Sequence, residues 1–442
     1  MRVQTSAPLL RRFVLMRPTL PLLPERCTRL PRLLSLAPLL ALACTFPARA
    51  ETTSTTTLPA RVSPATLPAA VVDATQTSAI PAIGRGAFPA WLAPVSQLPS
   101  FLDLRLAYDY RHVDAVQARP GEQESTSIHT FSPAASLSLG DRWRLDYEPS
   151  WTWYSNDRFH SATEQRAQLE GSVTVATWDY ALYQSYAHTS APLAETARQT
   201  ELDSYVTRIG VARELHSGLL LQAGLLQQLR FSEGFTDTKE WSVPLWVYLQ
   251  LSDILQAGVG VTGGYVSVDP GADMTYDRWQ VQLGGRVAQK ILWQVNAGLE
   301  NRHVRSSAQG TLHNPVYGGS LTWQPTDTTG ITLAGRHQVG RTLLRDLISK
   351  RDEFSAQLTQ RLLERYWLAL RYTHYNIHYI ATGQSGAATP LFAGSDAYSL
   401  SLGTTLFNRT DVAATYSYSR SRWLVGSDYH SNEYGLQLRH AF

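Results

Sequence analysis

Past its first fifty residues the chain carries its positive charge almost wholly on arginine; Lys239, Lys290 and Lys350 are the only lysines. Arg142, Arg144, Arg208, Arg278, Arg286, Arg336, Arg361, Arg371 and Arg439 occupy the polar face of segments in which apolar and polar residues alternate. Asp146, Glu148, Glu170, Glu300 and Glu433 share that face. A guanidinium is a planar fork of N–H donors that matches the paired oxygens of a carboxylate or phosphate. Such a face could therefore bind carboxylates, phosphates or acidic sugars. The same charges could instead neutralise one another and hold neighbouring segments together. At the level of sequence both readings stand.

Catalytic and metal chemistry find less support. All twelve histidines follow residue 50. His374 and His378 share a strand face with Asn376, but four strand residues span about 13 Å, too far for one metal ion. Asp157, His160 and Ser161 fall in one polar stretch, where such residues collect routinely. Asp269, Asp273 and Asp277 lack the alternating oxygen ligands of a calcium loop. The chain has no G-x-S-x-G, no H-E-x-x-H and no phosphate loop. The expectation is a protein without enzymatic activity, metal or cofactor.

The segments that would position the arginines read as β-strands. From Arg142 to Trp153, one face holds Trp143, Leu145, Tyr147, Pro149, Trp151 and Trp153, and the other Arg144, Asp146, Glu148, Ser150 and Thr152. A helix would scatter these tryptophans around its circumference. A dozen alternating residues is about the length a tilted strand needs to cross a bilayer. The pattern recurs at Leu169–Val175, Tyr205–Val211, Trp279–Val287, Ile291–Leu299, Leu358–Leu362 and Leu400–Leu406. In a closed barrel of such strands the apolar face meets lipid and the arginine face lines the lumen.

Short polar breaks occur at Gly140-Asp141, Trp178-Asp179, His216-Ser217-Gly218, Ser252-Asp253, Gln289-Lys290, Pro325-Thr326-Asp327, Glu364-Arg365 and Asn408-Arg409. Longer ones lie near residues 113–127, 155–166, 188–200, 232–240, 269–275, 303–313, 341–350, 381–396 and 423–431. Eight short turns and nine longer loops join eighteen antiparallel strands, with sixteen as the alternative count. Short turns on one side and longer loops on the other match a transmembrane barrel whose short side is periplasmic. Aromatics gather near both sets of breaks, as interface girdles do. None of the longer breaks is long enough to read as a dedicated constriction loop. Either the pore is wide, or the N-terminal tail or smaller loops narrow it.

The two ends complete the pattern. Residues 1–50 combine a basic leader, an apolar run from Leu33 to Ala43 and the small-residue motif Ala48-Arg49-Ala50, an export signal cleaved near Ala50. Both cysteines, Cys27 and Cys44, fall inside it, so no disulfide is expected beyond it. The leader also holds eight of the 39 basic residues and one of the 36 acidic ones, which leaves 31 against 35 and a net charge of −4. No basic field remains for nucleic acid. Residues 51–98 are rich in Thr, Pro and Ala and read as a disordered periplasmic tail. Residues 99–442 read as the barrel. Leu436, Leu438, His440 and the terminal Phe442 share one face of the last strand.

A final strand that closes on Phe resembles the C-terminal signature of bacterial outer-membrane barrels. With the export signal, strand alternation and hairpin spacing, residues 99–442 resemble the β-barrel porin family of uncharacterised Gram-negative outer-membrane proteins. The resemblance implies an all-β transmembrane antiparallel barrel in the outer membrane, in contact with its lipid. It implies a channel for passive or substrate-preferring passage of small polar solutes. It also implies Phe442 as an assembly signal, read by the barrel assembly machinery through the C-terminal strand. A structural or secretion-linked barrel, such as an exopolysaccharide export partner, is the alternative.

Overall fold

The computed structural model describes residues 101–119, 122–193, 198–288, 290–305, 310–345, 347–381, 391–407, 409–422 and 428–442. Residues 1–50, expected to be an export signal, and residues 51–98, expected to be a tail, lie outside the described residues. Twenty strands follow in chain order: β1 Leu102–Arg119, β2 Glu122–Leu139, β3 Trp143–Tyr154, β4 Ala162–Val175, β5 Trp178–Thr189, β6 Pro192–Leu193, β7 Arg198–Gln199, β8 Leu202–His216, β9 Leu219–Ser232 and β10 Asp237–Ser252, then β11 Leu255–Asp269, β12 Met274–Val287, β13 Ile291–Val304, β14 Thr311–Thr326, β15 Thr329–Gly340, β16 Leu347–Leu362, β17 Tyr366–Ala381, β18 Leu391–Leu406, β19 Thr410–Arg422 and β20 Asp428–Ala441. Eighteen of them form one sheet, and β6 and β7 pair only with each other. Each barrel strand is antiparallel to the next, and β1 pairs with β20 from Arg105↔Ala441 to Val113↔Glu433. The sheet is therefore closed and has no free edge.

The connections on one side are two or three residues long: between β2 and β3, β4 and β5, β8 and β9, β10 and β11, β12 and β13, β14 and β15, β16 and β17, and β18 and β19. Several hold a residue in the left-handed region, among them Gly218 (φ 86°), Ala176 (φ 55°) and Phe407 (φ 53°). Trp178 and Asp179, expected in a turn, begin β5; the turn is at Ala176 and Thr177. Alanine seldom adopts positive φ, so nothing in its type marks that position. On the opposite side much of what reads as loop is strand. β1 and β2 stay paired as far as Arg119↔Glu122, through most of residues 113–127. Backbone polarity is satisfied by extending the ladder rather than by leaving a solvated loop.

The outer surface is a continuous apolar band. Val259, Trp279, Val281 and Leu299 are 61%, 58%, 56% and 60% exposed, and Leu245, Val247, Leu249 and Leu251 follow one another along β10. So much exposed apolar surface belongs in lipid. No helix among the described residues is long and apolar enough to cross a membrane; the strands make the crossing.

Two local features shape the wall. Pro133 and Pro149 occupy facing positions where the β2–β3 ladder is interrupted, between Phe131↔Trp151 and Ala135↔Tyr147. Neither has an N–H to give. Elsewhere, rings lie flat over cross-strand glycines. Trp246 faces Gly260, Tyr248 faces Gly258 and Trp367 faces Gly403, and a Cβ on any of the three glycines would fall within 2.3–2.5 Å of ring carbon.

The two faces respond differently to charge. Val281→Arg, on the lipid face at the middle of β12, is expected to cost about 2–4 kcal/mol, while Ser132→Arg on the lumen face costs much less. Urea titration of the barrel refolded into lipid vesicles measures both, and equal costs would contradict the assignment of faces.

Candidate functional site

The inner face encloses a cavity of about 2260 Å³. Among the described residues, thirteen arginines and eight side-chain carboxylates line it, with no lysine. Arg144, Asp146, Glu148, Arg208, Arg278, Arg336 and Arg439 are in this lining. Arg371 donates to Gln357 Oε1 at 2.8 Å, and Glu300 is wholly covered. Glu170, Arg286 and Arg361 keep the inward register but sit exposed beside the short turns. Arg142 belongs to the turn at 140–142 and not to β3. The Phe442 N–H donates to the Leu104 carbonyl at 3.0 Å, and its ring meets His440 edge-on at 4.7 Å.

Arg105, Arg111, Arg166, Arg230, Arg302 and Arg351, absent from the arginines singled out in the sequence, follow the same alternation and line the same cavity. Most of the arginine charge is matched within the wall. Arg144 pairs with Asp146 at 3.0 Å, Arg111 with Asp109 at 2.8 Å and Arg336 with Glu353 at 2.5 Å. Arg208 stacks on Tyr183 with its guanidinium carbon 5.0 Å from the ring centre. These contacts fix the direction of each guanidinium, so the lumen presents oriented donors rather than mobile chains.

The narrowing comes from a short connection. β14 and β15 are paired from Tyr317↔His337 down to Thr326↔Thr329, but not above. Beyond that point the tip of the β15–β16 hairpin bends into the lumen. Val339 and Ile348 pack on the inner face of β11–β13, against Val266, Met274 and Val304. Leu343 is 1% exposed, and its carbonyl accepts from Thr236 N–H at 3.1 Å. From this tip Arg341 reaches over to β9 and β10, donating to the side chain of Gln228 and pairing with Glu240 at 3.0 Å. A second inward element is the β6–β7 ladder after β5, which lies against β1. Ala191 and Pro192, at its start, line the cavity.

Arg341 ends a connected network. Glu240 also accepts from Tyr276 OH at 2.6 Å. The guanidinium carbons of Arg302 and Arg278 lie 4.9 and 5.6 Å from the Tyr276 ring centre. Both arginines grip Glu300, at 2.8 and 2.5 Å. Three cations and two anions thus join the infolded tip to the far wall. Buried charges persist only when paired and hydrogen-bonded, so each member depends on the others.

The aspartates considered for calcium have other partners. Asp273 accepts from Tyr265 OH at 2.7 Å and from Val268 N–H at 3.1 Å, which hold its carboxyl below the usual range. Asp277 accepts from Trp279 and Asn301 at 3.1 and 2.8 Å. Among the described residues no three metal-ligating side chains converge.

Comparison with solved structures finds chains of low sequence identity. Pseudomonas aeruginosa OccK2 (OpdF), solved in complex with glucuronate, is 13% identical with a TM-score of 0.43, covering 77% of this chain and 98% of its own. Acinetobacter baumannii OccAB4 is 9% identical with a TM-score of 0.43, covering 78% and 99%. Pseudomonas aeruginosa OccK5 (OpdH) is 10% identical with a TM-score of 0.40, covering 77% and 98%. No family model matches the chain, and neither does any curated protein.

Releasing the infolded tip should widen the lumen. Arg341→Ala leaves Glu240 without its main cation, a loss of about 3–5 kcal/mol for a buried pair broken on one side. Single-channel conductance is expected to rise and to fluctuate more than in the parent protein. Unchanged conductance and noise would mean that Arg341 does not hold the constriction.

Proposed function

We propose that the protein is an outer-membrane channel that admits small polar solutes, with a lean towards anions. The observation that carries this reading is the charged lumen of an eighteen-stranded barrel. Eight-stranded barrels fill with side chains, whereas barrels of about 16 to 18 strands leave an aqueous path. The lean towards anions follows from the excess of arginine over carboxylate in the lining, reduced by the pairs that hold most of those arginines. The infolded tip and the β6–β7 ladder are the selective region: every solute passes the arginines that surround them.

Planar-bilayer recording tests the proposal. The mature protein should conduct, equally or more after removal of residues 51–98, and its reversal potential in a salt gradient should favour anions. A sealed bilayer with both proteins would reject the channel and favour a structural or secretion-linked barrel.

Phe442 acts in assembly under the same reading. Its ring meets His440 edge-on at the rim of a large sheet, a small part of what holds the barrel. Deleting Phe442 should lower the amount inserted in cells strongly, with little change in the melting point of barrel already folded in detergent. Unchanged outer-membrane levels would remove this role.

A further inference from the structure

Three polar side chains stand side by side on the lipid face. Period two puts Gln184 on the face of β5 that carries Tyr180, Thr207 on the face of β8 that carries Ile209, and Gln227 on the face of β9 that carries Leu225. Tyr180, Ile209 and Leu225 are themselves exposed. The ladders align the three polar residues as Gln184↔Thr207 and Thr207↔Gln227. One outward position nearer the loops are Tyr186 and Tyr205, with ring centres 4.9 Å apart. One position nearer the short turns are Leu182, Ile209 and Leu225. Tyr186 OH donates to Asp203 at 3.1 Å, further towards the loops. The phenol thus points to the wet side of the girdle, and the polar row lies on the hydrocarbon side.

The row is bonded within itself, but incompletely. Thr207 Oγ1 lies 2.6 Å from Gln184 Oε1 and 3.3 Å from Gln227 Oε1. A hydroxyl has one proton and donates to one carbonyl at a time. Each glutamine amide also carries two N–H donors, and among the described residues none of them meets an acceptor. Turning an amide over exchanges its bonded atom and still leaves N–H groups unmet. Water would satisfy them on a soluble protein; hydrocarbon does not. Asp203 stands two outward positions from Thr207 and is already engaged by Tyr186 OH and His188 Nδ1. At mid-strand on the lipid face β12 instead shows Val281 and Leu283, and β20 shows Leu436 and Leu438.

We propose that this row is a contact between two copies of the barrel, related by a two-fold axis along the membrane normal. Copies in one membrane share orientation and depth, so the row on one is level with the row on the next. Each amide offers both donors and an acceptor, so the row is complementary to itself, as a two-fold contact requires. An axis passing near Thr207 sets Gln184 of one copy against Gln227 of the other, and the reverse. Leu182, Ile209 and Leu225 of both copies then pack beneath the amides. Polar side chains bond across contacts between membrane helices for the same reason: lipid gives them no partner. The proposal rests on the barrel being embedded in a membrane and not on an open channel.

Residues 51–442 contain no cysteine, so one introduced thiol reports one contact. Ile209→Cys places it one outward position from Thr207, while Val281→Cys places it on β12, away from the row. The test oxidises mature barrel with copper phenanthroline in lipid vesicles at low protein-to-lipid ratio. Ile209→Cys should form a disulfide-linked dimer about tenfold faster than Val281→Cys. Adding Gln184→Leu and Gln227→Leu to Ile209→Cys should abolish that advantage while heat-modifiable gel migration still reports a folded barrel. Photobleaching of the parent protein in the same vesicles, each copy labelled once at its N-terminus, should count pairs, a check that does not depend on any variant folding. Equal rates at the two cysteines, an unchanged rate in the leucine variant, or single-step spots throughout overturns the proposal. Crosslinking in cells to a different protein alone also overturns it and assigns the row to that protein. A monomeric barrel that conducts loses the contact and keeps the channel; a paired barrel that seals a planar bilayer keeps the contact and loses the channel.

Discussion

Lipid offers no hydrogen bonds, and that condition governs the rest of the molecule. Each backbone N–H and C=O at membrane depth must find a partner in the protein, which for strands means a sheet with no edge. The β1–β20 ladder meets the condition. Closure divides every strand into an outward and an inward face, and the alternation of side chains follows from it. The exceptions are local. The β2–β3 ladder lapses where two prolines face each other, and β14 and β15 separate where the hairpin tip turns inward. At the second place inner-wall apolar side chains and the Glu240–Arg341 network cover the departing strand, so one departure from the ladder makes the constriction.

Much of this was legible in the residues. Alternation between Arg142 and Trp153 assigns lumen and lipid faces to β3, because period two admits one solution when one side is apolar. Short and long breaks in turn lead to eighteen strands. The sequence was less informative where the backbone chose an unusual conformation for an ordinary residue: Ala176 turns the chain with positive φ, and no residue type announces it. Loops were overestimated because polar residues beyond the membrane, as in β1 and β2, look the same whether paired or solvated. The infolded tip escaped for a different reason. Thr342 and Leu343 carry no periodic signal, and Arg341 acquires its meaning only from residues more than a hundred positions earlier.

The arginine surface combines the two readings that sequence alone left open. Arg336, Arg278 and Arg144 are matched by carboxylates and hold the wall, yet they still face the lumen with part of the fork unused. A paired guanidinium has five donors and satisfies a carboxylate with two. Neutralising the wall and presenting donors to a solute are therefore compatible. Lysine could not do both, since a flexible ammonium gives up its direction when its partner moves.

The flat rings over glycine bear on how such a pore changes over generations. Trp246 and Tyr276 lie against the wall because Gly260 and Gly264 on the neighbouring strand have nothing to hold them off. A single methyl at either glycine would lift the ring away from the wall and into the bore. The calibre of the pore is thus set in part from behind, by residues that no solute touches. Small mutational steps at those glycines would tune passage in increments of an atom or two while every arginine stayed where it was.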